Sequence, residues 1–268
     1  MNTYLIGFLA VLATISLSVG GMLLVRKRVS FDSLVSYHEV AGYLLSVVGT
    51  LYAVVLGFVV VDTMQHTQDL RVLVDKEASG LANIYLCASG LPEPKRGRLR
   101  SLCRQYAEAV VGDEWKSMES GGYSVQAFST VWALWHEISS IQPVSESEKT
   151  LHQQLVSEIC SMTESRRTRI TSAAHGVAPL LWVVLLVGGF LTVVFTYFFA
   201  VQHLQAQVLM TVLVSLTLAL NMFLVFVFGS PFSGDFAVKP DSFRLDRMIF
   251  HYYDKGQPPS PEQMKNQF

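Results

Sequence analysis

Charged residues are scarce in this 268-residue sequence: Asp, Glu, Lys and Arg make up 15% of it, whereas 51% is hydrophobic. This balance excludes an ordinary soluble globule and indicates an integral membrane protein. The formal net charge of −1 provides no excess of positive charge, so we expect no nucleic-acid partner. The three cysteines, Cys87, Cys103 and Cys160, follow no CxxC pattern, which argues against a disulfide framework or a zinc site. We predict that they are small apolar core residues.

Enzyme signatures are also missing. The sequence has no P-loop, GxSxG, HExxH or GxGxxG motif. The histidines of the central polar segment, His66, His136 and His152, lack metal-ligand spacing. We therefore predict that the protein is not an enzyme and has neither a cofactor nor a metal site. Alternating runs bounded by hairpin turns are absent too, so no β-sheet is expected.

Four apolar runs of about 20 residues suit the thickness of a bilayer at helical rise. They are Tyr4–Val25, Val40–Val61, Val177–Ala200 and Val208–Phe228. None contains Asp, Glu, His, Lys or Arg, which argues against a proton relay or a carboxylate-based transporter. The first run is not typical of a signal peptide, because its basic cluster "RKR" follows it. We predict four transmembrane helices in two hairpins.

The segment between the two hairpins is polar, and its apolar residues recur at helical spacing between the breaks "LPEPKRG" and "QPVSES". The predicted fold is therefore all-α: an integral membrane protein with four transmembrane helices and a helical cytosolic insert between the second and the third. The expected domains are transmembrane hairpin 1 at 1–61, the insert at 62–176, transmembrane hairpin 2 at 177–228, and a C-terminal juxtamembrane segment and tail at 229–268.

The C-terminal segment contains "SPFSGDF" and then "DSFRLDRMIFHYY". In the first, Ser230, Ser233 and Asp235 are candidate caps for nearby helix ends. The second predicts a short amphipathic helix at the membrane surface.

The distribution of positive charge leaves two membrane orientations open. The cluster Arg26–Arg28 after the first span favours an external insert, because charges at the first span often dominate. The larger total of positive residues near the other membrane ends favours a cytoplasmic insert, and so do the unpaired cysteines. We choose the second arrangement, with the insert and both termini in the cytoplasm.

The second span predicts a candidate pore face. Thr50, Val54, Phe58 and Asp62 recur every four residues, and no proline stops the helix beyond them; His66 and Asp69 stay near the same face. Several copies around an axis would form a hydrophobic constriction with an acidic vestibule. The alternative is that Val54 and Phe58 face a neighbouring helix or lipid.

Charged residues at the far end of this span form a candidate pore mouth: Arg26, Lys27, Arg28, His38 and Glu39. A histidine there would confer pH sensitivity. The alternative is a weak, exposed ion pair between Glu39 and the basic cluster.

A second basic run, "KRGRLRSLCR" at 95–104, offers contacts to anionic lipid headgroups or to a partner. The alternative is a solvated helix face, because acidic residues lie near it in the sequence.

Five motifs, in order along most of the chain, resemble the bestrophin-like family of bacterial membrane proteins of unknown function, also called DUF4239. They are "HEVAGYLLSVVGTLYAVVLGFVVV" at 38–61, "EASGLANIYLCASGLPEP" at 77–94, "RQYAEAVVGDEW" at 104–115, "SRRTRI" at 165–170 and "SPFSGDFAVKPDSF" at 230–243. The last is the most distinctive. This resemblance implies a protein of the bacterial inner membrane.

A more distant resemblance is to bestrophin channels, which are pentamers with four membrane helices per subunit and an apolar neck on the second helix. "LGF" at 56–58 resembles the neck segment, and the matching neck positions are Thr50, Val54 and Phe58. Leu51 stands where that neck has a proline, and no acidic cluster resembles the calcium clasp.

Two functions remain as hypotheses. The first is an oligomeric ion channel, pentameric by resemblance, whose partners are the lipid bilayer, further copies of itself and a permeant inorganic ion. Asp62 and Asp69 favour cations, and the basic cluster at Arg26–Arg28 favours anions. The second is a non-conducting membrane scaffold or signalling protein whose insert binds another protein.

Overall fold

The structure is a computed structural model that describes residues 3–30, 34, 37–173, 176–199, 201 and 203–256. In these residues every regular element is a helix, which confirms the predicted all-α fold. The helices are α1 (Thr3–Arg28), α2 (His38–Cys87), α3 (Lys95–Ala109), α4 (Trp115–Met118), α5 (Val125–Ser139), α6 (Glu146–Ala173), α7 (Pro179–Tyr197), α8 (Leu204–Phe228) and α9 (Asp241–Lys255). A 3-10 turn at Ala88–Gly90 follows α2, and a π-helical turn at Val110–Glu114 joins α3 to α4.

Four of these helices, α1, α2, α7 and α8, are long and apolar enough to cross a membrane, as predicted. At most 22% of the apolar window of each is buried within the chain. The remaining surface faces outward, where lipid or neighbouring subunits can cover it. The second helix runs unbroken for 50 residues, far beyond its apolar part, because no proline interrupts it.

The chain divides into two compact units. The first contains the described residues of 3–67 and 176–237, and the second contains those of 68–175 and 238–256. The division falls within α2 and just before α9, so the first unit holds the apolar helices and the second holds the polar insert together with α9.

Helices α1, α7 and α8 of the first unit approach one another at glycines. Gly7 of α1 lies against the ring of Phe223, and Gly21 lies against Tyr197; an added Cβ at either glycine would overlap the aromatic side chain. Small residues allow such close approach between membrane helices, which gain their stability from packing rather than from leaving water.

Asp235 caps the N-terminus of α1. Its carboxylate Oδ2 accepts a hydrogen bond from the backbone N–H of Thr3 at 3.0 Å, and the Thr3 hydroxyl accepts one from the Asp235 N–H at 3.1 Å. This pair satisfies a donor that a helix start leaves without an intrahelical partner. The capping role predicted for "SPFSGDF" is thus confirmed at Asp235. The turn before it uses Gly234 at φ +83°, a conformation that favours glycine.

The second unit packs α9 into its core. The rings of Tyr85 and Phe250 stack with centroids 4.0 Å apart, and Phe243 packs edge-on against Tyr106 and Trp115. The amphipathic helix predicted at the membrane surface is therefore present, but its apolar face is buried against α2 and α3, because aromatic side chains there complete its packing.

Two cysteines of the second unit differ from each other. Cys103 lies in the core, as predicted for all three, whereas Cys160 is exposed because it falls on the outer face of α6.

Candidate functional site

Tyr52 fixes the orientation of α2 in the first unit. Its side chain is 7% exposed, and its hydroxyl donates to the carbonyl oxygen of Leu185 on α7 at 3.0 Å. The ring lies over Gly188, where an added Cβ would overlap it. The packed cluster on this side of α2 consists of Tyr52, Leu56, Val59, Leu185 and Val225. One face of α2 is therefore packed against other helices of the same chain.

The three predicted neck residues lie outside this packed cluster. Val54 is 52% exposed and Phe58 is 74% exposed. Thr50 is also exposed, and its hydroxyl donates back to the carbonyl oxygen of Ser46 at 2.6 Å, so it is satisfied within its own helix. This face lies outside the packed cluster of the first unit, and in a single copy it is largely exposed.

The predicted vestibule residues have different environments. Asp62 is exposed, whereas His66 is half-buried and its Nε2 atom is enclosed with no hydrogen-bond partner among the described residues. Asp69, which belongs to the second unit, is exposed. The helix therefore presents two accessible carboxylates beyond its apolar part, and the histidine between them is less accessible.

The basic residues at the end of α1 are not equivalent. Arg26 is half-buried and donates from Nη1 to the Oε1 of Gln207 at 2.5 Å and to the carbonyl oxygen of Val201 at 3.1 Å. These bonds link it to the first turn of α8 and to the segment that precedes that helix. Lys27 and Arg28 are exposed, as is Glu39 at the start of α2. The side chain of His38, also predicted at this mouth, lies outside the described part of the structure.

The second unit contains a buried ionic network that the sequence did not predict. Arg169 donates from Nε and Nη2 to the two oxygens of Glu77 at 2.6 and 2.8 Å, and from Nη2 to Glu114 at 2.7 Å. Arg166 donates to the other oxygen of Glu114 at 2.5 Å, and the Tyr106 hydroxyl donates to Glu77 at 2.5 Å. Two cations thus balance two anions inside the core.

Burial and charge set the protonation of this network. Burial lowers the pKa of Arg169, but the carboxylates of Glu77 and Glu114 outweigh it and hold the pKa above its ordinary value. Burial and the charge of Glu77 raise the pKa of Tyr106 well above its ordinary value. The guanidinium also lies over the Trp115 ring, 5.1 Å from its centroid. Arg169 therefore stays charged near neutral pH, and its contacts with both carboxylates hold separate helices of this unit together.

Every ionic member of this network comes from a motif that carries the family resemblance. Glu77 opens "EASGLAN", Tyr106 and Glu114 lie in "RQYAEAVVGDEW", and Arg166 and Arg169 lie in "SRRTRI". Two features of the sequence could have predicted this network. The charged residues occupy helical positions at which the neighbouring turns have core residues. The first two motifs supply carboxylates, and the third supplies guanidinium groups.

Asp246 of α9 is a buried carboxyl that forms no ion pair with any described residue. It is 4% exposed, and its Oδ2 atom has no hydrogen-bond partner among the described residues. Burial raises its pKa to about 8. Cys103 of α3 is fully buried nearby; burial first and the charge of Asp246 second raise the pKa of this thiol, against the opposing effect of Arg104.

Across the described part of the chain, no group of three or more His, Cys, Asp or Glu side chains is arranged to hold a metal ion.

An all-helical architecture with four membrane-length helices and a polar helical unit defines a class of multi-pass membrane protein. A family model described as "Bestrophin-like domain" matches residues 12–243. The chain therefore belongs to the bestrophin-like family.

Solved structures share this fold. Crystal structures of a bacterial bestrophin homolog from Klebsiella pneumoniae align over most of the chain. One point variant gives a TM-score of 0.69 at 13% identity, covering 92% of this chain and 99% of that one. The structure phased by Zn-SAD gives 0.65 at 12% identity, covering 94% and 99%. No curated protein matches the sequence. Family membership supports a membrane-embedded channel of the bestrophin type, and the protein is not an enzyme.

Proposed function

We propose that the protein is an oligomeric ion channel of the bacterial inner membrane whose pore is lined by α2. The observation that carries this proposal is the division of α2 into two faces. Tyr52 binds Leu185 inside the subunit, whereas Phe58 is 74% exposed away from that contact. A pore-lining helix needs such an arrangement, because one face must hold it in its subunit while the other remains free for the axis.

In this proposal Thr50, Val54 and Phe58 from each subunit form the neck, and Asp62 and Asp69 lie in the vestibule. A ring of phenylalanines would give a constriction that gates by dewetting. Five subunits are favoured by the resemblance to bestrophin channels. His66 would influence the vestibule through its half-buried ring rather than as a freely accessible charge.

The permeant species is a small inorganic ion. The preference of the pore for cations or anions depends on which charged residues contribute most to its electrostatic potential. Asp62 and Asp69 attract cations, whereas Lys27 and Arg28, together with the mouth residues His38 and Glu39, set the field at the other end. The reversal potential across a salt gradient decides between cation and anion preference.

We propose that the insert and both termini lie in the cytoplasm. Cys160, the exposed cysteine of α6, provides a natural probe for this orientation. A membrane-impermeant maleimide should label it only after the cells are permeabilised. Labelling of Cys160 in intact spheroplasts would reverse the proposed orientation.

The decisive experiment is single-channel recording from the purified protein in planar bilayers, with wild type beside Phe58→Ala. Removing a neck ring should change the current amplitude or the gating, because the ring forms the narrowest apolar part of the pore. Phe8→Ala is the matched control: Phe8 is 65% exposed on α1, and its truncation should leave the current unchanged.

Equal currents in wild type and Phe58→Ala would remove Phe58 from the neck. Reproducible silence from protein shown to be folded and inserted would favour the alternative of a non-conducting scaffold or signalling protein whose insert binds a protein partner.

A further inference from the structure

A cleft of about 920 Å³ lies within the second unit, between α3 and α9. Its volume falls in the range of small-molecule sites. The basic residues on its walls come from two segments far apart in the chain. Arg104 ends the basic run of α3, and Arg244, Arg247, His251 and Lys255 follow one stripe of α9.

The acidic residues of the cleft neutralise only part of this charge. Four full cations line it against two carboxylates, Glu108 and Asp254. Asp254 is already bound by Arg104 and by the Tyr85 hydroxyl, and Arg100 lies 3.5 Å from it. Its charge is therefore balanced by contacts that link α9 to α2 and α3.

Two of the cations have no carboxylate partner. In the described part of the chain, Arg247 and Lys255 have no Asp or Glu oxygen within 4.0 Å. Their neighbours within α9 offer none either, because the residues of this helix three and four positions from each are aromatic or basic. Arg244 differs, since Asp241 holds it at 2.9 Å. Carboxylates at this spacing can pair with the cations of a solvated helix face, and at Arg247 and Lys255 this stripe offers none.

We propose that this cleft binds a phosphate-bearing anion, with Arg247 and Lys255 as its principal ligands. A guanidinium donates two parallel hydrogen bonds to phosphate oxygens, and an ammonium adds a compact point charge. Arg104 and Arg244 flank these two ligands, but each is already paired with a carboxylate, so Arg247 and Lys255 provide the unpaired charge of the site. The phosphate belongs either to a soluble ligand or to a lipid headgroup. The site is independent of whether the protein conducts ions.

The test is isothermal titration calorimetry of the full chain in detergent, with two probes: inorganic pyrophosphate and dioctanoyl phosphatidic acid. The double variant Arg247→Gln/Lys255→Gln should bind at least one probe roughly tenfold more weakly than wild type, because two charge-assisted contacts are lost. The matched control is Arg98→Gln/Lys149→Gln. It removes the same charge from exposed side chains of the same unit, 67% and 52% accessible, that do not line the cleft.

Each outcome is informative. Variant-sensitive binding of pyrophosphate identifies a soluble ligand, and variant-sensitive binding of the lipid alone identifies a headgroup; both support the site. Absence of binding of either probe to wild type overturns the proposal. An equal loss in the cleft variant and the control also overturns it, since that result reports only net charge. Unchanged thermal unfolding of the cleft variant shows that its fold is intact.

Discussion

The guanidinium of Arg169 and the carboxylate of Glu77 form a doubly hydrogen-bonded ion pair, with N–O distances of 2.6 and 2.8 Å, between side chains that are both fully buried. The two residues are 92 positions apart. The pair ties α2 to α6 in the second unit, and Glu114 completes the neutralisation of Arg169.

We expect Glu77→Gln to destabilise the protein strongly. The substitution keeps the shape of the side chain but leaves the core with two guanidinium groups and one carboxylate. Removing one partner of a buried pair typically costs about 3–5 kcal/mol, because the remaining charge is uncompensated. The measurement is the thermal unfolding transition of the solubilised protein, which should fall clearly below that of wild type.

The control for this prediction is Glu93→Gln. Glu93 pairs with Arg96 at 2.8 Å, but both side chains are largely solvent-exposed. Solvent screens such pairs, so the transition should stay near that of wild type. Equal effects of the two substitutions would show that burial of the Glu77 pair does not matter.

Titration of Asp246 should make the stability of the protein depend on pH. Its carboxyl keeps its proton up to about pH 8 in the folded protein but loses it near its ordinary value of 3.8 when unfolded. The folded state binds the extra proton between these values, so the contribution of this group to stability is present below about pH 4 and is lost as the pH rises to about 8. Between these pH values the free energy of unfolding should fall by on the order of 5 kcal/mol, since each pKa unit corresponds to about 1.4 kcal/mol.

Asp246→Asn removes this dependence. The variant should gain thermal stability over wild type progressively from about pH 4 to about pH 8, and the gain should level off at higher pH. Asp113→Asn, at an exposed aspartate of the same unit, is the control and should show no such trend. A constant difference between Asp246→Asn and wild type at all pH values would contradict the prediction.

Gly188→Ala should disturb the seating of α2 in the first unit. The added methyl group would overlap the ring of Tyr52, and overpacking of a tight interface typically costs about 1–3 kcal/mol. Gly20→Ala adds the same group where nothing lies within 4 Å. The thermal unfolding temperature of Gly188→Ala should be lower than that of Gly20→Ala. Equal temperatures would show that the Tyr52 ring can move aside without loss of stability.

Loss of the cap on α1 should have a smaller effect. Asp235→Ala removes the acceptor of the Thr3 N–H and should cost about 1 kcal/mol. Ser233→Ala is the control from the same turn, because the described structure shows no hydrogen bond from its hydroxyl group. A thermal shift in the control as large as that of Asp235→Ala would assign the effect to the turn rather than to the cap.

The sequence by itself determined the four membrane helices and the all-helical insert. A run of about 20 apolar residues must be helical in a bilayer, since only a helix satisfies its backbone hydrogen bonds within one segment. Helical periodicity likewise placed Thr50, Val54 and Phe58 on a common side of α2, because that relation depends only on residue spacing along one helix. The sequence also marked Asp235 as a candidate cap, but only the tertiary structure identified its partner, the Thr3 N–H, 232 positions away.

The tertiary structure decided which side of α2 is packed and which is open, through the contact of Tyr52 with Leu185, 133 positions away. It also decided that Glu77 and Arg169 are core residues, that Asp246 is buried with no hydrogen-bond partner for its Oδ2 among the described residues, and that Arg104 shares a cleft with Arg247. Each of these relations joins residues from separate helices. A charge costs little in water and much in a core, and only the packing of helices against one another decides which of these environments a given residue occupies.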